Sequence, residues 1–252
     1  MKTVLLEEMS WLEIKQALEN GYKTVIITAA SIEQHGPHLA ENTDSLFGLE
    51  LSKRVAIRLK NALVAPVIRP GLSKHHLTHP GSLTLRPEIF IGIVEDYIAA
   101  YVHHGFETII LFSSHGGNFT PMINLIDKLK PLYPGKKIIF ALGMQEYIDT
   151  YRSGEKQFAL AERTCGGHAC DFETSFMLRY YPHLVNMELA VQGCMEESTP
   201  AFIEKLFLGG IADVSPTGIL GDPRAATAEK GDWYLKAFED IMYNSIAKQL
   251  GL

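Results

Sequence analysis

The pattern of apolar and polar residues alternates along this chain between two kinds of segment. Short runs rich in β-branched residues are typical of buried strands, and the segments between them repeat apolar residues at helical spacing. The predicted strands are 23–30, 63–68, 108–112 and 137–141, and the predicted helices are one from Ser10 to Gly21, 44–59, 87–104, one begun near Pro121, 171–180 and 225–250. This order predicts an α/β fold, a three-layer αβα sandwich with a central parallel or mixed sheet.

Local signals support several of these boundaries. Ser10 and Glu13 have the spacing of a capping box, Pro87 suits the first turn of a helix, and Gly105 ends that helix. The glycine-rich segment 209–221 predicts a loop, either near a functional site or at a subunit contact.

Composition narrows the class of protein. The 252 residues with 46% apolar side chains can build one sizeable core, so we expect one domain over residues 1–252. The net charge of −6 and the scattered lysines and arginines give no basic field for nucleic acid or for a membrane surface, which leaves a small-molecule substrate as the expected partner.

Targeting signals are also not evident. Glu7 and Glu8 interrupt the apolar start too early for a signal peptide, and no apolar run approaches the ~20 residues of a spanning helix. Cys165, Cys170 and Cys194 lack Cys-x-x-Cys spacing, which indicates reduced thiols. We therefore expect a cytoplasmic protein.

The densest group of metal-type ligands lies at 31–44, directly after the first predicted strand. Glu33 and His35 leave the carboxyl end of that strand, and Asp44 opens the next helix. Two carboxylates and an imidazole suit a divalent transition ion. The alternative is a helix start capped by Thr43 or Asp44 beside a surface Glu and a turn His, and the Glu-x-His pair by itself favours that alternative.

A second ligand candidate follows the strand at 108–112. His115 lies in a Gly-Gly turn before a helix, at the same carboxyl edge of the sheet as Glu33 and His35, where sites in open α/β sheets collect. It could also be a plain turn histidine. Its place beside the first group favours a ligand.

Three separated motifs resemble the creatininase (creatinine amidohydrolase) family, in the family's order. They are EQHGPHL at 33–39 followed by TD at 43–44, SHGGN at 114–118 and HACDFETS at 168–175. The resemblance implies two divalent ions per chain, with zinc expected and manganese or iron as alternatives. It implies that Glu33, Asp44 and His115 hold one ion and that His35 and Asp44 share in the other.

The same resemblance implies further roles. His168 matches the family's catalytic histidine, Ser73 matches a substrate contact, and His75 and His76 are expected to face substrate or to be structural. His79 stands where an aromatic residue is commoner, a departure that could alter specificity. A homohexamer is also implied, and the apolar segment 206–211 is compatible with a subunit contact.

One position departs from creatininase itself, which has an acidic ligand two residues after the turn histidine. Here that position is Gly117, so another carboxylate must complete the second ion's ligands, and we expect Glu173 to do so. Alternatively, Glu173 only complements the helix dipole, worth ~0.3 to 1 kcal/mol. Asp171 and Glu41 are the other acidic candidates.

Other kinds of chemistry have weaker support. The chain has neither the Gly-x-Ser-x-Gly of a serine hydrolase nor a phosphate-binding glycine loop, and Cys165 and Cys170 around His168 lack structural-zinc spacing. The resemblance implies a metal-dependent hydrolase that uses an activated water to open a cyclic amide. Family alternatives are a formamide hydrolase and a ring C–C hydrolase of inositol-derived ketones, as 3-dehydro-scyllo-inosose hydrolase is. A non-catalytic metal-binding or maturation protein is the alternative of another class.

Overall fold

A parallel sheet of four strands lies at the centre of the protein, as seen in a computed structural model that describes residues 2–252. The strands are β1 (Thr24–Ala29), β2 (Ala62–Val64), β3 (Thr108–Ser113), β4 (Lys137–Phe140), β5 (Cys165–His168) and β6 (Leu220–Gly221). The sheet has the order β2-β1-β3-β4, while β5 and β6 pair antiparallel in a separate ribbon. Of the two predicted kinds of central sheet, the parallel one is confirmed.

Helices cover both faces of this sheet. They are α1 (Trp11–Glu19), α2 (Thr43–Leu59), α3 (Pro87–His103), α4 (Phe119–Leu129), α5 (Met144–Gln157), α6 (Asp171–Tyr180), α7 (Pro200–Gly209), α8 (Ile211–Val214) and α9 (Ala228–Leu250). Alternate strand residues point to opposite faces: Ile26 packs in the core under α2, α6 and α9, and Val25 packs in the core under α1, α3 and α4. The predicted three-layer αβα sandwich is confirmed.

Some predicted boundaries are wrong. The second strand ends at Val64, because Pro66 cannot donate to a strand ladder, and Ile68 keeps only a single bridge to Ala29. Segment 209–221 is not all loop, since it contains α8 and β6. The last helix begins at Ala228, where the Thr227 hydroxyl accepts from the Lys230 N–H.

The topology brings the predicted ligands together. Parallel β1 and β3 are in register from Thr24 opposite Thr108 to Ala29 opposite Ser113, so both strands end at one edge of the sheet. The segments that carry Glu33, His35 and His115 leave from that edge. Among residues 2–252, no helix is long and apolar enough to span a membrane. One domain over residues 1–252 stays a prediction.

Candidate metal centre

Side-chain and backbone hydrogen bonds close the loop between β1 and α2 over the sheet edge. The Glu33 N–H donates to the Glu41 carbonyl at 3.0 Å, which returns the chain so that Asp44 stands in the first turn of α2. The Ser114 hydroxyl, just beyond β3, donates to the Asp44 carbonyl at 2.8 Å. Asp44 is therefore held against the end of β3, beside both strand ends.

The first candidate ligand group is Glu33, Asp44 and His115. Nδ1 of His115 lies 3.1 Å from Oε2 of Glu33 and 3.4 Å from Oδ2 of Asp44. The other ring nitrogen, Nε2, lies 3.2 Å from the Leu72 carbonyl, which can only accept a hydrogen bond. In the neutral ring Nε2 thus carries the hydrogen, and the lone pair of Nδ1 faces the two carboxylates.

The second candidate ligand group is His35, Asp44 and Glu173. Nε2 of His35 lies 3.3 Å from Oδ1 of Asp44 and 3.8 Å from Oε1 of Glu173. Nδ1 of His35 lies 3.0 Å from the Glu33 carbonyl and donates to it, so the lone pair of Nε2 faces the carboxylates. Asp44 stands between the two groups, with one oxygen beside each histidine.

Glu173 divides its two oxygens between two tasks. Oε2 accepts a hydrogen bond from the Ala169 N–H at the start of α6, and Oε1 faces His35. Both the helix-start role and the ligand position predicted for this residue are thus compatible with the geometry. Asp171, the acidic alternative on the same helix, is already paired with Lys230 and Tyr234 at 2.9 Å each.

Gly117 has no room for the acidic side chain that the resemblance to creatininase implied at this position. A Cβ added there would lie 2.7 Å from Nε2 of His115, and it would also meet the Leu72 carbonyl. Any side chain would have to displace the hydrogen bond that orients His115. The turn is therefore built around glycine, and the carboxylate near His35 comes from α6.

The donor set fits divalent cations. His35 Nε2 and Asp44 Oδ2 are buried without a hydrogen-bond partner, and an unpartnered buried polar atom is costly. Within residues 2–252, three groups hold ligand atoms within 4.8 Å of one another: Glu33, His35 and Asp44; His35, His168 and Glu173; and Glu33, His76 and His168. Imidazole nitrogens and carboxylates oriented by further hydrogen bonds are the ligands that zinc, manganese and iron accept.

His168 is held by the β5–β6 ribbon. Its Nε2 lies 2.7 Å from the Gln34 carbonyl, and its Nδ1 lies 3.6 Å from Oε1 of Glu33. Next to it, Ala169 adopts a left-handed backbone conformation with φ of 52°, which turns the chain from the ribbon into α6. His168 and Glu173 therefore reach the site from one short segment.

Buried charges shift the pKa values of the site in opposite directions. Burial opposes the charge of Glu33, but the charge of His115 and its hydrogen bond to Glu33 outweigh burial and hold the pKa of Glu33 well below its usual range. Burial opposes the charge of His115, but the nearby carboxylates of Glu33 and Asp44 raise its pKa to about 10. Burial and the charge of His35 lower the pKa of His168 to about 3, so this imidazole is neutral at pH 7.

The ligand groups open into a cavity of about 450 Å³. Its walls include α5, with Tyr147 and Tyr151, and α7, with Phe202 and Leu206. The sequence interpretation missed both helices as parts of the site, although Thr199 and Pro200 are recognisable start signals for α7.

The residues expected near substrate lie in different places. His75 and His76 line the cavity. Ser73 is fully buried, and its hydroxyl is hydrogen-bonded to Ser31, beside Glu33, so its role as a substrate contact stays a prediction. His79 lies farther out, with Nε2 3.3 Å from the Pro216 carbonyl. The sequence interpretation also missed Gln34, which contacts both His76 and His168.

Comparison with known proteins gives consistent matches over nearly the whole chain. The creatininase family model, described as creatinine amidohydrolase, matches residues 7–246. Creatinine amidohydrolase of Pseudomonas putida is 28% identical and covers 93% of each chain. Mycofactocin precursor peptide peptidase of Mycobacterium tuberculosis is 26% identical over 89% of this chain and 85% of its own. 3-Dehydro-scyllo-inosose hydrolase of Thermotoga maritima is 25% identical over 95% and 81%.

Solved structures of creatininase share the fold. A crystal structure of creatinine amidohydrolase superposes with a TM-score of 0.82 at 26% identity and covers 98% of both chains. A glutamate-to-glutamine variant of creatininase described as "Zn-Zn type" has a TM-score of 0.82 at 25% identity and 98% coverage of both chains. A structure described as "Creatininase Mn" has a TM-score of 0.81 at 26% identity, with 98% of both chains covered.

Proposed function

The chain belongs to the creatininase family, and we propose that it is a metal-dependent amidohydrolase that opens a cyclic amide with a water molecule as nucleophile. The observation that carries this proposal is the pair of histidines around one shared carboxylate. His35 turns Nε2, and His115 turns Nδ1, toward opposite oxygens of Asp44. Both nitrogens are free to ligate because the other nitrogen of each ring donates to a backbone carbonyl.

We assign two ions to this donor set. Glu33, Asp44 and His115 would hold one, and His35, Asp44 and Glu173 would hold the other. When bound, such ions lower the pKa of a water molecule and polarise a substrate carbonyl. Zinc is the first choice and manganese the second, in line with the Zn-Zn and Mn forms of creatininase, and iron also accepts these ligands.

His168 is the proposed proton carrier. Its Nδ1 lies 3.6 Å from Oε1 of Glu33, and in the neutral ring this nitrogen can take the proton of the attacking water. The resulting imidazolium would lie beside the Glu33 carboxylate, which favours its charge. It can then return the proton to the departing nitrogen of the amide.

A second candidate is hydrolysis of an amide bond in a larger substrate such as a peptide. Cavities of ~300–1,000 Å³ hold drug-sized ligands, and the cavity here has a volume of about 450 Å³ with an apolar wall on α7. The similarity to mycofactocin precursor peptide peptidase also favours this candidate. Formamides and cyclic ketones remain alternatives for the same residues, the latter because of the similarity to the inosose hydrolase.

Turnover on a matched substrate panel tests the proposal. The panel contains lactams including creatinine, formamides, short peptides and inositol-derived cyclic ketones, each assayed with the chelator-treated protein before and after addition of zinc or manganese. We expect ion-dependent hydrolysis in the lactam arm. Hydrolysis only of peptides would favour the second candidate. Stoichiometric metal binding without turnover of any substrate in the panel would indicate a metal-binding or maturation protein instead.

A further inference from the structure

Gln34 lies between two proposed ligands, Glu33 and His35, yet its side chain points to two other histidines. Its Oε1 accepts a hydrogen bond from the Gly36 N–H at 2.9 Å. Because a backbone N–H can only donate, this contact fixes which end of the amide is oxygen. The nitrogen end, Nε2, lies 3.1 Å from the Gly218 carbonyl, 2.9 Å from Nδ1 of His76 and 2.8 Å from Nε2 of His168.

The backbone carbonyl of Gln34 determines the hydrogen position on His168. Nε2 of His168 lies 2.7 Å from this carbonyl, which only accepts, so Nε2 must carry the hydrogen of the neutral ring. The 2.8 Å contact with the Gln34 amide nitrogen then joins two donors, and no hydrogen bond runs between them. Nδ1 of His168 keeps its lone pair and faces Oε1 of Glu33.

The two hydrogens of the Gln34 amide then have two acceptors, the Gly218 carbonyl and Nδ1 of His76. In the neutral His76 ring the hydrogen lies on Nε2, 3.3 Å from Oε1 of Glu33. This arrangement gives both amide hydrogens and the His168 hydrogen an acceptor, and it turns the His76 hydrogen toward the Glu33 carboxylate. If the His168 hydrogen were on Nδ1 instead, the Gln34 carbonyl would lose its donor, and Nδ1 would have only Glu33 at 3.6 Å, beyond hydrogen-bond distance.

Packing holds the amide in this position. Gln34 is buried, and the Gly218 backbone packs directly against its amide: a Cβ added at Gly218 would lie 2.6 Å from Cδ of Gln34. Gly218 also has a positive φ of 74°, which favours glycine. The contact between Gln34 and Gly218 thus leaves the amide no room to rotate.

We propose that Gln34 is a positioning residue that presents one bare nitrogen, from His168, and one N–H, from His76, to the same oxygen of Glu33. The bare nitrogen is the proton acceptor of the reaction. The N–H stabilises the Glu33 carboxylate and leaves Nε2 of His76 without a lone pair for an ion, so the group Glu33, His76 and His168 is not a third metal site. The proton-transfer part rests on the proposed function; the hydrogen positions do not.

Nitrogen-15 NMR of histidine-labelled protein tests the hydrogen positions without any turnover. The metal-free and zinc-loaded wild type are recorded, with His76→Asn and His168→Asn used to assign the signals. We expect hydrogen on Nε2 of both rings in the wild type. A wild-type His168 protonated on Nδ1, or a wild-type His76 with a bare Nε2, would overturn the proposal even if every variant failed to fold.

Gln34→Glu tests the role of the amide. A carboxylate of the same shape has no hydrogen to donate, so we expect Nδ1 of His76 to become protonated, His168 to keep its Nε2–H, and kcat to fall at least tenfold with less change in KM. Ser82→Ala is the matched control. The Ser82 hydroxyl accepts a hydrogen bond from the backbone N–H of Gln34 at 2.9 Å, so this variant removes a contact of Gln34 without changing the side-chain amide that faces the two imidazole rings. An unchanged His76 signal in Gln34→Glu would refute the role. Absence of turnover by the wild type on every substrate, together with the expected NMR signals, would instead count only against the proposed function.

Discussion

Nε2 of His35 lies 3.8 Å from Oε1 of Glu173, which joins the loop after the first strand to the first turn of α6. The same nitrogen lies 3.3 Å from Oδ1 of Asp44, so carboxylates from two helices face one imidazole. The contact with Glu173 supplies the carboxylate that Gly117 cannot supply. It is the feature in which this site differs from the ligand set that the resemblance to creatininase implied.

Replacing Glu173 by Gln should reduce bound metal from about two ions to about one and abolish turnover, because a neutral amide is a poor ligand for the second ion. Glu229→Gln is the matched control, since Glu229 is also a first-turn glutamate, in α9, with no site beside it. Both variants lose a helix-dipole contribution of ~0.3 to 1 kcal/mol. Elemental analysis that finds two ions of unchanged affinity in Glu173→Gln would reject Glu173 as a ligand.

Replacing His168 by Ala should leave both ions bound and lower kcat by ~10²- to 10⁴-fold, the usual contribution of a general base. His183→Ala, at an exposed histidine, controls for nonspecific effects. His168 also belongs to two groups of potential ligands, so the metal content of the His168→Ala protein distinguishes a ligand from a proton carrier. Loss of an ion in His168→Ala would make it a ligand rather than a proton carrier.

Thermal stability of the chelator-treated protein should fall as pH rises from about 6.5 to about 10. Although burial opposes the charge, Glu33 and the hydrogen bonds to Asp44 and Glu33 raise the pKa of His115 from 6.5 to about 10. A histidine with a raised folded pKa stabilises the fold fully below its unfolded pKa, and that stabilisation is lost as pH rises through the folded pKa.

Bound metal replaces this proton, so the loaded protein should not lose stability in the same window, and the difference in Tm between loaded and chelated protein should widen with pH. Differential scanning calorimetry of both forms measures this. Parallel curves for the two forms between pH 6.5 and 10 would contradict the assignment of His115 as a ligand.

Assembly into a homohexamer stays a prediction, with the outer face of α7 as its expected contact. Leu206 and Ile211 turn inward and Phe207 packs against His75 beside the cavity, whereas Leu208 is 80% exposed. Leu208→Glu should therefore weaken assembly, because a charge would be buried in an apolar contact. Leu132→Glu, at a leucine that is 68% exposed elsewhere, is the control.

Light scattering at micromolar concentration gives the mass of each form. The wild type should have six times the chain mass. A wild-type mass near 28.0 kDa would count against assembly.

The sequence predicted the parts of the site that depend on local pattern. β1 and β3 are continuous buried runs, so the apolar pattern alone locates their ends, and with them Glu33, His35 and His115. The position of Asp44 was predictable because a short loop after β1 leads into a helix that begins beside this residue. Predicting these positions requires only the direction of the strands and the rule that the carboxyl ends of parallel strands lie at one edge of the sheet.

The missed parts depend on contacts between distant segments. α5 contains few aliphatic residues, because its buried face is made of Tyr147, Tyr151 and Gly154, and both tyrosines pack in the core while also lining the cavity. The partners of Gln34 are 42 and 134 residues away, so its role has no local signal. The predicted second strand is too long because it includes the apolar residues after Pro66.

Metal titration of the chelator-treated protein, with bound ions and turnover measured on the same samples, tests the central claim most directly. The account predicts that turnover is absent without metal and reaches its maximum at about two ions per chain. Asp44→Ala should bind neither ion, while Asp127→Ala, at an exposed aspartate, should behave as the wild type. A wild-type protein that turns over substrate at full rate with only trace metal, or an Asp44→Ala protein that still binds two ions, would contradict it.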